Sequence, residues 1–427
     1  MEYQTCFYEA LTRHMYVSWS FLINKAFSEQ EVNNAIKHVH AKHPYLRCRI
    51  HEGSEFGKVS LIDKNTIVPV MFYSESLVND TTIHQQLEEF SDNFCNTASI
   101  DDTVHYKVIS DKENNKTGTI ACFCHSCADA LSSLRVAKDI LHYLDHPEEP
   151  LPTSREFVSV QTELIIQPEE PGHVRFANQQ ETVWIAPIRF RDCEKGVNPS
   201  FHTNRELIEP KCINSILEQC HKHHCSFQAY LWSVMAICLL HLFKKDLPTS
   251  IRFGTPATTV GRAEFRKPIC EEDLVVGAYT VFVTQTLSSN MKFWDLCKIL
   301  CDQMKEEITK KEQMNDIFAV CKEKDFGKLP SASFNGCTLG VSDIQHHYEH
   351  FDMESLYFLP CATRTPNMGG MNLHAFTIPD IGCYLHCTYS SPAFYKEEME
   401  KYGDSLKLIF EKAVCENVTL DDLLNIL

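Results

Sequence analysis

The stretch of sequence that decides the fold begins at Gly118, ends at Leu144 and reads GTIACFCHSCADALSSLRVAKDILHYL. Its opening residues, GTIACFC, form an apolar run that predicts a buried β-strand. After the segment CHSCADA, the apolar side chains of Leu134, Ala137 and Leu141 recur at helical spacing. The segment CHSCADA is therefore expected at a junction between a strand and a helix, where polar side chains can be held in a cleft.

His125 is the candidate general base of this segment. A neutral imidazole near pH 7 can accept a proton from an alcohol or an amine as that group attacks a carbonyl carbon. Asp129 follows four residues later. Its carboxylate could accept a hydrogen bond from the other ring nitrogen and so fix the tautomer of His125, as carboxylates do in catalytic triads. The pair predicts proton-transfer chemistry at the junction.

Outward from the junction, the chain alternates short β-rich runs with amphipathic helices. The runs VHYKVIS and GTIACFC flank the polar stretch DKENNKT, which predicts a β-hairpin. Nearer the N-terminus, Ser28 and Glu31 have the spacing of a helix capping box, and Val32, Ala35 and Ile36 follow on one helical face. We therefore expect helices that cover one face of a sheet.

The segment CHSCADA resembles the HHxxxDG signature, which lies between a strand and a helix in the acyltransferases grouped with nonribosomal peptide condensation domains. His125 and Asp129 match the second His and the Asp of that signature, whereas Cys124 replaces the first His and Ala130 replaces the Gly. The resemblance implies that His125 is the general base. It also implies that Asp129 holds the loop through an Arg of the second domain, for which Arg262 is the matching candidate. This structural role of Asp129 stands beside the tautomer-fixing role as an alternative.

Further stretches resemble the same superfamily of CoA-dependent acyltransferases. KHPYLRCRI from Lys42 is similar to its HPxLR element, and RFGTPATTVGRAEF followed by LVVGAYTVFV is similar to its strand, GR turn and VGxF strand. The sequence does not contain the DFGWG motif of the plant-type (BAHD-like) members, and the nearest segment, LGVSDIQ at Leu339, keeps Ser342 and Asp343. The chain thus resembles the condensation and alcohol acetyltransferase members more than the plant-type ones.

The resemblance implies an α/β (α+β) chain with two chloramphenicol-acetyltransferase-like domains, each a mixed sheet covered by helices, and an active-site tunnel between them. A stretch rich in Pro, Glu and Gln follows residue 145 and shows little periodicity, as a linker would. We therefore place an N-terminal half that carries the HxxxD motif at residues 1–165, a linker at 166–195 and a C-terminal half at 196–427.

The implied activity is transfer of an acyl group from acyl-CoA to a hydroxyl or an amine of a small-molecule acceptor. His125 would remove the acceptor's proton and no covalent acyl-enzyme would form, so acyl-CoA is a co-substrate and no permanently bound cofactor is expected. Cys124, Ser126 and Ser342 are candidates for residues that line the site. Two alternatives stay open: a condensation enzyme that takes its acyl group from a carrier protein and forms an amide, and a non-catalytic protein of the same fold that binds acyl-CoA or another small molecule.

The cysteines suggest two other kinds of site. Cys124 and Cys127 flank His125, and a thiolate beside an imidazole can be acylated, although neighbouring residues on a strand point to opposite faces. The cysteines around His125 and the segment CHKHHC, from Cys220 to Cys225, could coordinate zinc. Neither has C-x-x-C pairs at two distant places, so we expect no metal site.

Composition excludes several classes of partner. The net charge of −17 argues against nucleic acid, because phosphate binding needs clusters of Lys and Arg that the sequence lacks. The longest apolar run, from Ala229 to Phe243, is shorter than the ~20 residues that cross a bilayer and predicts a buried helix. The opening residues MEYQTCFYEA do not resemble a secretory signal, and the 20 cysteines are expected to be mostly free, buried thiols. We expect a cytoplasmic, monomeric protein with no membrane span.

Overall fold

The computed structural model describes residues 2–4, 15–51, 58–61, 70–74, 78–97, 103–126, 128–153, 183–184, 200–256, 280–313, 316, 332–363, 371–391 and 393–427. These residues divide into two compact units. The first unit holds those at 2–153 and 342–363, and the second holds those at 183–256, 280–341 and 371–427.

The helices and strands have the following bounds. In chain order they are β1 (Glu2–Gln4), β2 (Met15–Ile23), α1 (Glu29–Lys42), a 3-10 turn (Pro44–Arg47), β3 (Cys48–His51), β4 (Lys58–Leu61), β5 (Val70–Ser74), α2 (Asp80–Thr97), β6 (Val104–Asp111), β7 (Lys116–Cys124), α3 (Ala130–Asp145), β8 (Ser200–Ile208), α4 (Pro210–Lys222), α5 (Phe227–Leu242), β9 (Thr249–Pro256), β10 (Thr280–Leu287), α6 (Phe293–Thr309), β11 (Phe334–Val341), β12 (Met353–Thr363), β13 (Met371–Ile378), β14 (Gly382–Ser391), α7 (Lys396–Lys412) and α8 (Leu420–Asn425).

The first unit is built on a five-stranded sheet with the strand order β12-β2-β7-β6-β5. In this sheet β5 and β6 run parallel, and the other neighbouring strands run antiparallel. A smaller sheet has the order β1-β4-β3. Strand β7 lies at the centre of the larger sheet, and its residues after Lys116 are all buried. A central and almost fully buried strand therefore leads directly into the segment CHSCADA.

The hairpin of β6 and β7 confirms the sequence prediction. The two strands pair antiparallel up to Asp111 and Lys116, at the turn. The carboxylate of Asp111 accepts hydrogen bonds from the backbone N–H groups of Glu113 and Asn114, at 3.1 and 3.0 Å. An Asp that binds the backbone just beyond it is a standard way to nucleate a turn. The stretch DKENNKT thus fixes the register of β7, and with it the position of the residues that follow β7.

Helix α1 of the first unit also begins where the sequence predicts. At the start of α1, the hydroxyl of Ser28 accepts a hydrogen bond from the backbone N–H of Glu31, and the carboxylate of Glu31 accepts one from the N–H of Ser28. This reciprocal pair is the expected capping box. Helix α1 packs against α3, and α2 packs against β2 and β7.

The second unit is a six-stranded mixed sheet with the order β10-β9-β11-β13-β14-β8. Strand β11 runs parallel to both of its neighbours. Helix α5 is almost completely buried, as predicted, and its polar groups have partners: the hydroxyl of Tyr230 donates to the carbonyl of Phe410 at 2.7 Å, and the indole N–H of Trp232 donates to the carbonyl of Gly336 at 3.0 Å. Among the described helices none is long and apolar enough alone to cross a membrane, and α4 with α5 passes that test only as a pair bent by 107°.

Residues 342–363 group differently from the predicted division, which placed them in the C-terminal half. They belong to the first unit, because β12 pairs antiparallel with β2 at the edge of the five-stranded sheet. The pairing joins Ser18 to Leu359 and Tyr16 to Ala362, residues far apart in sequence. The predicted linker, 166–195, lies outside the described residues except at positions 183 and 184.

Candidate functional site

His125 is held at the end of β7 by its backbone. Its N–H donates to the carbonyl of Met15 at 2.8 Å, and the preceding N–H, of Cys124, donates to the carbonyl of Thr103 at 2.9 Å. Met15 begins β2 and Thr103 directly precedes β6, the two strands that pair with β7. His125 is only 8% exposed. The strand thus ends with an imidazole whose position is fixed and whose contact with water is small.

The surroundings of His125 keep the imidazole in its basic form. Burial lowers the pKa of His125, and this effect outweighs the opposing influences of the residue's own backbone and of the Asp129 charge. Within the described part of the chain, the buried Nδ1 atom has no hydrogen-bond partner. A buried nitrogen left unmet costs about 1–3 kcal/mol, so this atom is open to a hydrogen bond from water or from a bound ligand. The imidazole is therefore neutral at pH 7 and can accept a proton.

Asp129 is the N-cap of α3. One carboxylate oxygen accepts a hydrogen bond from the N–H of Ser132 at 2.8 Å, and its backbone carbonyl accepts one from the N–H of Ser133 at 2.9 Å. Because Nδ1 of His125 has no partner among the described residues, Asp129 does not fix the tautomer through that atom. The structure thus favours the structural role of Asp129. Arg262, the partner implied by the resemblance, lies outside the described residues.

The other candidates around His125 are small buried groups. The thiol of Cys124 and the hydroxyl of Ser126 lie 3.0 Å apart, within hydrogen-bonding distance. On the same strand, the thiol of Cys122 accepts a hydrogen bond from the hydroxyl of Ser18 at 3.0 Å, and burial raises its pKa well above the usual range. Cys122 is therefore a poor nucleophile. Cys127 lies outside the described residues.

Ser342 lies on the segment between β11 and β12. Its hydroxyl accepts a hydrogen bond from the N–H of Ile344 at 3.1 Å. The next residue, Asp343, forms an ion pair of 2.8 Å with Lys138 on α3, and both side chains are well exposed. The ion pair of Asp343 therefore ties this segment to the outside of α3, and no contact described for Ser342 reaches His125. Among the described residues, no group of three or more His, Cys, Asp and Glu side chains is arranged to hold a metal ion.

An ion pair between the end of α1 and the middle of α3 was not identified from the sequence. Asp139 on α3 accepts hydrogen bonds from Nε2 of His43 at 2.5 Å and from Nζ of Lys42 at 2.8 Å. Burial acts to raise the pKa of Asp139, but the bonds and charges of His43 and Lys42 outweigh it, so the pKa is lowered. This pair joins the end of α1 to α3, the helix that Asp129 caps. The run KHP contains Lys42 and His43, but their partner Asp139 lies far away in the chain, so the sequence does not show the pairing.

The chain resembles known proteins in its structure. No protein-family model and no curated protein sequence matches the chain. Solved structures do match it over nearly its whole length. They include the first condensation domain of the calcium-dependent antibiotic synthetase (TM-score 0.73, 8% identity, 99% of both chains covered), the epimerization domain from the third module of tyrocidine synthetase B (0.71, 13%, 97% of this chain and 96% of that one) and the condensation domain of the monacolin K polyketide synthase MokA (0.68, 10%, 98% and 99%).

The chain has the fold of the condensation domains. This confirms the predicted fold and the mixed α/β class, with two mixed sheets that are covered by helices. At such low identities the likeness concerns the fold.

Proposed function

We propose that this protein transfers an acyl group from a phosphopantetheine thioester to a hydroxyl or an amine, with His125 as the general base. The observation that carries the proposal is the buried, neutral imidazole at the junction of β7 and α3, whose Nδ1 has no partner among the described residues. A base of this kind contributes roughly 10²- to 10⁴-fold to the rate of proton-coupled attack.

In the proposed reaction, His125 accepts a proton from the acceptor's O–H or N–H as that atom attacks the thioester carbonyl. The carbon–sulfur bond then breaks, and the proton passes from the imidazolium to the departing sulfur. The low pKa of His125 favours this return, because the buried site disfavours the charged ring. No bond to the enzyme forms, and no resident cofactor is required.

Two donors carry the same thioester: acyl-CoA and an acylated carrier protein. The sequence resemblance implies acyl-CoA as co-substrate. Two of the three similar structures are named as condensation domains of synthases and synthetases, which favours a carrier-protein donor and an amine acceptor. We therefore propose the carrier-bound thioester first and acyl-CoA second. The acceptor side of the reaction is the same for both donors.

A non-catalytic binding protein is a second candidate, and Cys124 is the observation in its favour. The thiol at the first motif position is engaged with Ser126 and offers no second imidazole to the site. His125 nevertheless keeps the position and the ionisation state that the proton transfer needs. We therefore place catalysis ahead of simple binding.

The test is product formation, measured by mass spectrometry with acyl-CoA and acyl-carrier-protein donors and mixed amine and alcohol acceptors. His125→Ala is compared with His142→Ala, a surface His on α3. Transfer by the wild type and by the His142 variant, but not by the His125 variant, supports the proposal. Donor binding without transfer in the wild type favours the non-catalytic protein, and transfer by His125→Ala at the wild-type rate contradicts the role of the base.

A further inference from the structure

The turn between α4 and α5 brings two cysteines together. His224 has a left-handed backbone (φ 52°), and its N–H donates to the carbonyl of His221 at 3.2 Å. The N–H of Cys225 donates to the carbonyl of Cys220 at 3.0 Å. These two bonds form a Schellman motif, which places the side chain of the residue after the left-handed one against the side chain five positions earlier. The helix ending itself therefore sets Cys225 beside Cys220.

A third thiol reaches the same place from α6. The buried thiol of Cys297 donates to the hydroxyl of Ser233 at 3.3 Å, which fixes it between α5 and α6. Cys220 and Cys297 both influence the pKa of the Cys225 thiol, as neighbouring side chains do. We call Cys220, Cys225 and Cys297 the thiol cluster; all three are free cysteines.

The ionisation of the thiol cluster is uneven. The neighbouring thiols of Cys220 and Cys297 lower the pKa of Cys225, against the effect of burial, and the charge of His223 acts in the same direction. The hydrogen bond with Cys225 and burial raise the pKa of Cys220. Cys225 is therefore the thiol of the cluster that ionises most readily, and Cys220 and Cys297 keep their protons.

Access to solvent is uneven in the same way. Cys225 is partly exposed, whereas Cys220 and Cys297 are 3% and 0% exposed. A small oxidant can therefore reach the sulfur with thiolate character before it reaches the other two. An accessible thiolate with a protonated thiol beside it is the arrangement that redox-sensitive cysteines use.

We propose that Cys225 is an oxidation site that reacts with hydroperoxides and then forms a disulfide with Cys220. The thiolate of Cys225 attacks one oxygen of the peroxide, the O–O bond breaks, and the products are a sulfenic acid and hydroxide, which leaves as water after taking a proton. The thiol of Cys220 then attacks the sulfenic sulfur, and a second water leaves. The sum is two thiols and hydrogen peroxide giving one disulfide and two waters. This site is independent of His125 and of acyl transfer.

Alkylation by iodoacetamide tests the first step in the folded wild type. While the pH is below the pKa of an ordinary thiol, its alkylation rate rises about tenfold for each unit by which the pH is raised. A thiol that is already ionised reacts at a constant rate. We expect the labelling rate of Cys225, followed by peptide mass spectrometry, to change less than about twofold between pH 6 and pH 8. A rise of about a hundredfold over that interval would overturn the proposal.

Hydrogen peroxide tests the second step. After treatment and rapid alkylation, non-reducing peptide mapping of the wild type should show a Cys220–Cys225 disulfide that dithiothreitol reverses. Cys220→Ser should instead accumulate a sulfenic acid at Cys225 that dimedone traps, and Cys415→Ser, at an exposed cysteine, should behave as the wild type. A peroxide-treated wild type with Cys225 unmodified, or with Cys415 oxidised before Cys225, would refute the site. The alkylation profile needs no variant, so a folding defect in Cys220→Ser leaves the proposal testable.

Discussion

Two short segments rich in Cys and His come just before capped helices, one in each unit, and they differ in chemistry. In the first, CHSCADA, Asp129 caps α3 and His125 is buried with its Nδ1 unpartnered among the described residues. In the second, CHKHHCS, Ser226 caps α5, and the helix ending sets Cys225 beside the thiol of Cys220. The comparison teaches that residue types alone do not define a site. Burial and hydrogen-bond partners are what lead us to propose a general base in the first segment and a reactive thiol in the second.

The largest effect is expected when one substitution in each segment is compared for acyl transfer and for peroxide reactivity. We expect His125→Ala to lower the kcat/KM for acyl transfer by roughly 10³-fold, because no general base then takes the proton of the attacking hydroxyl or amine. Cys225→Ser should leave kcat/KM within about twofold of the wild type, because it lies outside the catalytic segment. Peroxide reactivity should show the reverse pattern. Loss of acyl transfer in Cys225→Ser would show that the two segments are not independent.

Among the stability predictions, the largest change in the free energy of unfolding is expected for the ion pair between Asp139 on α3 and the end of α1. Asp139→Asn removes the carboxylate that His43 and Lys42 share and should lower the free energy of unfolding by about 2 kcal/mol at pH 7. Asp343→Asn removes an exposed pair from the same helix and should cost less than about 0.5 kcal/mol. Urea titrations of both variants compare the two losses. Equal losses would contradict the importance of burial.

The same pair predicts how stability depends on pH. The folded-state pKa of Asp139 is depressed, so its stabilising contribution is present above the unfolded pKa of about 3.9 and is lost as pH falls through the lower folded value. The difference in unfolding free energy between wild type and Asp139→Asn should therefore shrink as the pH is lowered below about 4. A difference that is constant from pH 7 to pH 3 would contradict this linkage.

The two helix caps offer a matched comparison of smaller effects. Asp129→Ala and Ser226→Ala each remove a side chain that accepts a hydrogen bond from a first-turn N–H, so each should lower the free energy of unfolding by about 1 kcal/mol. Only Asp129→Ala should also reduce acyl transfer, because its helix follows His125. Urea unfolding and kcat/KM are measured on both variants. Full activity in Asp129→Ala would restrict that residue to capping.

The smallest effect, of opposite sign, is expected in the second unit. Burial raises the pKa of Glu206 on β8, and Asp404 adds to this, while Lys407 opposes it. A carboxylate with a raised folded pKa destabilises the folded state when it is ionised. Glu206→Gln should therefore raise the free energy of unfolding at pH 7 by up to about 0.5 kcal/mol, with the gain disappearing near pH 4. A loss of stability in urea titrations at pH 7 would contradict this assignment.

Local sequence patterns predicted much of the fold, because they reflect local physical chemistry. The capping box of Ser28, the turn at Asp111 and the apolar helix α5 are each encoded within a few residues. The pairing of β12 with β2 could not be predicted in this way, because no local pattern records which distant strand completes a sheet edge. The resemblance of CHSCADA to a known motif identified the candidate base before any coordinates did.

The thiol cluster shows why other parts of a site escape the sequence. The segment CHKHHC was considered as a zinc site, and its spacing did not support one. Its actual arrangement depends on the left-handed φ of His224 and on Cys297, which comes from another helix. The pairing of Asp139 with His43 likewise needs two helices in contact. Contacts between elements, and the ionisation states they produce, are set only by the folded chain.

The most direct test of the central claim is the pH dependence of kcat/KM for acyl transfer, measured on the wild type and on His125→Ala with one donor and one acceptor. Because the pKa of His125 is lowered, the wild-type rate should fall on acidification only below the usual imidazole range near pH 6.5, and His125→Ala should lose both the activity and this ionisation. An unchanged acidic limb in His125→Ala would show that another group is the base.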